Sequence, residues 1–320
     1  MPLDQLIRNA PMPAVGVSVF DRSSVLFSQV SGIADLTTGR AARHDDWWDL
    51  ASVTKVLVTL PEALERLELD QPLGSLWARA RGQPIGAATV RQLLAHNAGL
   101  PAVVPFYLRS TSREEVVANA LAIPLEREPG GEAVYSDIGF LLLGELIQEL
   151  TGKTLSDLAR NRSGLKYGPL RSSTVATEDC PWRGRLIVGE VHDENASVMG
   201  GVAGHAGAFG TLDLVTDAAR GWLRDDVHPS AKRCWATNSG GEQFGLGWWL
   251  PPTRGIGGAN PGPNSYGCSG FVGNRIWLEP DRGYGVVILS NRVHPVRGDR
   301  GPFTAWCSKV FKAAMTLADV

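Results

Sequence analysis

The placement of two kinds of apolar run most constrains how this chain can fold. Short, β-branched runs crowd both ends, and helical repeats fill the middle. "AVGVSVF" (residues 14–20) and "VLFSQVSG" flank the polar stretch "DRSS", which predicts a β-hairpin. Towards the other end, "LGWWL", "GFVGNRIWLE" and "YGVVILSN" read as strands, with "PDRG" turning between the last two. Between these groups, Ser52 opens a helical pattern reaching about Leu67, with a break or kink at Pro61. "TVRQLLAHNAGLP" stops at Gly99 and Pro101, and "SREEVVANALA" begins with Ser112 and Glu115 at capping-box spacing. "DIGFLLLGELIQELTG" predicts an amphipathic helix closed by Gly152. In "FTAWCSKVFKAAM", Phe303, Trp306, Val310 and Ala314 share one helical face. The pattern predicts an α+β fold: one antiparallel sheet built from both termini, with a helical insertion. The expected division is a discontinuous sheet part at 1–60 and 205–320 and a mainly helical part at 61–204. There is no internal repeat or low-complexity segment.

With 320 residues, 43% of them hydrophobic, the chain can bury a sizeable core. The net charge is −2 and no basic patch stands out, which argues against a nucleic-acid partner. No apolar run reaches the ~18 residues that span a bilayer, so no membrane partner is expected. "MPLDQLIRNAPMPAVG" lacks the basic-then-apolar pattern of a signal peptide, and a cytoplasmic location is the expectation. Cys180, Cys234, Cys268 and Cys307 are scattered without a CxxC pair. They read as free thiols, not as a disulfide framework or zinc site.

"DLASVTKVLVT" places Ser52 three residues before Lys55. Positions three apart share a helix face, so the side chains can touch. A serine hydroxyl is a weak nucleophile until a neighbour takes its proton, and a lysine can share that work. This is the S-x-x-K arrangement of penicillin-binding proteins and serine β-lactamases. Taken alone, it more readily describes an N-capping serine beside a surface lysine.

The remaining blocks occur in order: "LLAHNAGLP", "VYSDIGFLLLGELI", "GHAGAFGTLDLVTDAARGWL" and "GCSGFVGNRIWLEPDRGYGVVILSNRVHP". Together with "DLASVTK" they resemble the β-lactamase-related serine hydrolases, which include class C β-lactamases, DD-peptidases and carboxylesterases. The resemblance covers nearly the whole chain. It implies a β-lactamase/DD-peptidase-like fold, with a sheet flanked by terminal helices and an all-helical subdomain. It also implies an acyl-enzyme on Ser52 that needs no metal or organic cofactor. Lys55 would be the partner of Ser52, and Tyr135 would act with the lysine as general base and return the proton to the leaving group. The backbone N–H groups of Ser52 and of Phe271, on the strand after "CSG", would form the oxyanion hole. Gly270 would let that strand approach the substrate.

Two positions depart from the family pattern. Asp137 stands where asparagine is common, and Cys268, Ser269 and Gly270 replace a motif that usually begins with lysine or histidine. A site with Lys55, Asp137 and a thiol is near neutral. Carboxylate-bearing substrates are therefore expected to bind poorly and small neutral esters to be favoured, unless Arg275 supplies the missing charge. Asp137 either pairs with Lys55 and holds it charged, or caps the following helix; the two roles are compatible. Cys268 is either a reactive thiol beside the site or an inert small hydrophobe.

Other motifs carry less. "LTGKT" lacks the upstream glycine of a P-loop, having Ile147 there, and follows a helix instead of a strand. No G-x-S-x-G elbow is present. His192, Asp193, Glu194 and His205 fit no standard zinc spacing. His96 and His205 are expected to serve as structural hydrogen-bonding groups. The resemblance places "GGVAGHAG" at the back of the site. Three readings remain: a carboxylesterase or amidase acting on a small-molecule acyl substrate with weak or no β-lactamase activity, a DD-carboxypeptidase or β-lactamase, or a catalytically silent binding protein on the same scaffold. Oligomeric state is unreadable from the sequence.

Overall fold

The computed structural model describes residues 1–171, 173–224, 228–253, 256–258 and 260–318. Among these, nine strands form one sheet. They are β1 (Ala14–Asp21), β2 (Val25–Asp35), β3 (Arg40–Ala41), β4 (Ala236–Thr237), β5 (Gln243–Phe244), β6 (Trp249–Leu250), β7 (Tyr266–Ser269), β8 (Arg275–Glu279) and β9 (Tyr284–Ser290). Their order is β3-β2-β1-β9-β8-β7-β6-β5-β4, and every pairing is antiparallel. The first and last strands are neighbours, in register from Val15 opposite Ser290 to Asp21 opposite Tyr284. Both termini thus build the sheet, as the strand-like runs predict.

The helices include α1 (Leu3–Arg8), α2 (Leu60–Arg66), α3 (Val90–Leu94), α4 (Arg113–Ala122), α5 (Asp137–Thr151), α6 (Leu155–Ser163), α7 (Leu212–Trp222) and α8 (Gly301–Ala318), together with the short helical segments Leu73–Leu76 and Glu194–Val198. On one face of the sheet, Val15, Val17 and Val19 of β1 meet Leu3 and Ile7 of α1 and Phe303, Trp306 and Val310 of α8. The Trp306 indole N–H donates to the Leu6 carbonyl at 2.8 Å, joining the terminal helices. On the other face, Phe20, Ile276, Val287 and Leu289 join the main core. A sheet covered on both sides shows near-continuous apolar strands, which is why β1 and β9 do not alternate.

The helical part differs from the sequence reading in three ways. Residues 138–147 of α5 are all buried, so this helix is the centre of the helical core and not an amphipathic surface helix. Its one acid there, Glu145, pairs with Arg113 of α4. Before α2, residues Lys55–Thr59 form a π turn. Pro61 has no N–H for the Leu57 carbonyl, and the wider turn absorbs that lost bond. At α4 the capping box is half formed: Ser112 Oγ accepts from the Glu115 N–H at 3.3 Å, but the Glu115 carboxylate accepts from the Thr111 N–H. A complete box forms instead between Thr89 and Gln92 at α3.

Two glycine contacts set the site. A Cβ on Gly204 would lie 2.2 Å from the Phe140 carbonyl, so the loop carrying His205 rests directly on α5. A Cβ on Gly270 would lie 2.8 Å from the Leu50 carbonyl. That second contact brings the β7–β8 turn against the segment before Ser52.

Candidate active site

Ser52 sits on a turn whose conformation is enforced from behind. Ala51 has φ +46, a left-handed geometry uncommon outside glycine. The buried Asp49 carboxylate accepts the Ala51 N–H at 2.7 Å and holds this turn. One helical turn later, Lys55 is 1% exposed and makes three contacts. Its Nζ donates to Ser52 Oγ at 2.9 Å, to Asp137 Oδ1 at 2.6 Å and to the His205 carbonyl at 3.1 Å. Burial opposes the lysine charge, but the Asp137 carboxylate and then Tyr135 outweigh it and push its pKa above the ordinary value.

Asp137 opens α5, yet it is not the cap. Ser136 is, with Oγ accepting the Ile138 N–H at 3.3 Å. Of the two roles open to Asp137, the structure shows the pairing with Lys55. Tyr135 precedes them with its ring stacked on Trp249, centroids 5.5 Å apart, and tilted by 35° against His96 at 4.5 Å. Lys55 Nζ lies 5.2 Å from the Tyr135 centroid. Burial raises the Tyr135 hydroxyl, against the Lys55 charge and the side chains of Ser52 and Lys55, and the phenol stays protonated. His96 is driven down to about 3 by burial and then by Lys55, so it is neutral and accepts the Ser136 N–H at 3.2 Å. It supports Tyr135 structurally, as expected.

Several sequence-based placements change. Cys268 is buried in the main core, and burial pushes its thiol up to about 12. It is an inert hydrophobe and does not line the cleft. Gly270 packs on the Leu50 carbonyl and not towards substrate. Phe271 is not on a strand: the Gly273 N–H donates to the Gly270 carbonyl at 3.0 Å and encloses it in the β7–β8 turn. Arg275 supplies no charge to the cleft, because it is buried against Phe303 and donates to the Asn274 carbonyl at 3.0 Å. The positive groups at the cleft come instead from the segment entering α8. Arg297 is held by Glu178 and Glu194, whereas Arg300 has no acidic partner among the described residues.

Ser52, Tyr135, Asp137, Ser269 and Phe271 line a cleft of about 430 Å³, together with Trp249, Arg297, Arg300 and the His192–Glu194 loop. The loop residues are engaged with protein groups. His192 meets Glu178 at 2.6 Å, and Asp193 meets the buried His205 at 3.0 Å. Burial opposes the Asp193 charge, but His205 and the Ala196 N–H hold its carboxyl well below the usual range. The backbone N–H groups of Ser52 and Phe271 have no acceptor among the described residues. Sequence reasoning missed the His205 carbonyl, Asp49 and Arg300. A backbone contact leaves no residue-type signal, Asp49 lies beside Ser52 but acts through the backbone N–H groups of Ala51 and His192, and Arg300 comes from a block distant in sequence.

Comparisons with known proteins identify the family and the fold. A sequence model described as Beta-lactamase matches residues 3–306. The N-acetylmuramyl-L-alanine amidase of Bacillus subtilis (strain 168) is 29% identical, covering 77% of this chain and 68% of that protein. A putative D-alanyl-D-alanine carboxypeptidase of Escherichia coli O157:H7 is 27% identical, with 89% and 80% covered. Among solved structures, EstCE1, a hydrolase with promiscuous acyltransferase activity, superposes with a TM-score of 0.75 at 18% identity, covering 98% of this chain and 96% of that one. The chain belongs to the Beta-lactamase family and is a serine hydrolase.

Proposed function

We propose that the protein hydrolyses small esters or amides through an acyl-enzyme on Ser52. The observation that carries this reading is Lys55 Nζ, buried beneath the cleft and 2.9 Å from Ser52 Oγ. Because Asp137 holds Lys55 as an ammonium, proton transfer falls to Tyr135. Loss of one proton from the Lys55–Tyr135 pair gives a phenolate stabilised by the ammonium. The phenolate takes the Ser52 proton as Oγ bonds to the acyl carbon. The Ser52 and Phe271 N–H groups then receive the oxyanion. Tyr135 gives its proton to the leaving group as the scissile bond breaks, and water releases the acyl group by the reverse sequence.

A second reading, hydrolysis of carboxylate-bearing substrates such as D-alanyl peptides, is favoured by Arg300. Its guanidinium, without an acidic partner among the described residues, meets the need for a cation that Cys268 leaves unfilled. It also removes the reason to expect anionic substrates to bind poorly. The carboxypeptidase and amidase relatives fit an amide substrate in the same way.

The test is intact mass after brief exposure to a fluorophosphonate, with p-nitrophenyl acetate and nitrocefin turnover alongside. A single adduct on wild type that is absent from Ser52→Ala is the expected result, with ester turnover exceeding nitrocefin turnover. No adduct and no turnover would leave the scaffold as a binding protein.

A further inference from the structure

The two oxyanion donors proposed above lie on different parts of the fold. Ser52 belongs to the turn before the first buried helix, and Phe271 to the β7–β8 turn. Catalysis depends on donors held within tenths of an ångström of where charge develops, so their spacing must be fixed.

Asn274 spans the two turns. Its side chain is fully buried. Its Nδ2 donates to the Asp49 carbonyl at 2.8 Å, and its Oδ1 accepts the Ser290 N–H of β9 at 3.2 Å. Its own carbonyl accepts the Gly270 N–H at 3.0 Å, closing the turn that carries Phe271. Asp49 continues the tie: its carboxylate accepts the N–H of Ala51 at 2.7 Å and of His192 at 2.6 Å. One residue therefore connects β9 and the residue whose carboxylate shapes the Ser52 turn through its side-chain amide, and the Phe271 turn through its own carbonyl. The absence of a Cβ at Gly270 lets the turns touch.

We infer that Asn274, acting through Asp49, is a positioning residue that sets the spacing of the two oxyanion donors. This rests on the acyl-enzyme reading above. The amide chemistry is specific, since the side chain must donate to one carbonyl and accept from one N–H at once. A carboxylate of the same shape sets acceptor against acceptor at Asp49, and a serine does not span the gap.

The test uses Asn274→Asp and Asn274→Ser. Active sites are counted by complete fluorophosphonate labelling, and p-nitrophenyl acetate kinetics are then taken below the melting temperature. The expected result is a fall in kcat per labelled Ser52 of about 10- to 100-fold, with KM within about twofold. This is less than the ~10²–10³ lost with a whole donor. A kcat per labelled site within twofold of wild type in both variants would overturn the inference and leave the acyl-enzyme reading intact. So would variants with no labelled Ser52, which would make Asn274 a folding residue only. Failure of wild type to label at Ser52 removes both.

Discussion

All three ammonium hydrogens of Lys55 are placed, on Ser52, Asp137 and the His205 carbonyl. A lysine so occupied cannot accept the Ser52 proton until it has given one up. Asp137 is the strongest of the groups that raise its pKa. Replacing it with asparagine keeps the shape and removes the charge. The sign then follows: Lys55 loses stabilisation of its charged form, and the Lys55–Tyr135 pair releases its proton at lower pH. Asp137→Asn is expected to move the rising limb of kcat/KM downwards by on the order of one pH unit. A pH–rate profile with p-nitrophenyl acetate checks this, and an unmoved limb would show that Asp137 does not set the base. Ser52 and Lys55 could be singled out from the sequence because they share a local motif, and Tyr135 because its block resembles that of the family. The face taken by Cys268 was not legible, since both faces of the sheet are buried and an apolar strand gives no sign of its orientation.

At the level of elements, the site depends on how α3 and α5 meet. His96, just after α3, accepts the Ser136 N–H that leads into α5 and packs its ring, tilted, against Tyr135. Its folded pKa of about 3 lies below the 6.5 of a free histidine. Between those values the unfolded chain binds more protons, so this group's contribution to stability is intact above about pH 6.5 and declines as pH falls towards 3. The decline by pH 5 is about 2 kcal/mol. His96→Gln is expected to remove that part of the acid sensitivity. Urea unfolding of both proteins at pH 7 and pH 5 measures it, and equal losses in the two would refute the assignment. The helix-forming runs and the Gly152 stop were legible because they follow local periodicity and capping chemistry. The central burial of α5 was not, because it depends on Gly144 and Gly204 coming into contact from distant parts of the chain.

Over the whole molecule, the two ends of the chain meet in the sheet, and the C-terminal part continues to the cleft. β1 lies beside β9, and the segment entering α8 delivers Arg300 to the mouth of the site. If Arg300 receives substrate carboxylates, R300E should raise KM for an anionic ester about three- to tenfold over that for a neutral one. The difference should shrink at high salt, as for any exposed charge pair. Equal KM changes for both esters would exclude this role. By itself the sequence determined the α+β class, the terminal strands and helices, and the Ser52–Lys55 spacing. These depend on periodicity and on spacing within short segments. Only the tertiary structure decided which cation faces the cleft, that Asp137 pairs instead of capping, and that Asn274 bridges the two donor turns. Each of these depends on contacts between residues tens to hundreds of positions apart, whose geometry no local pattern encodes.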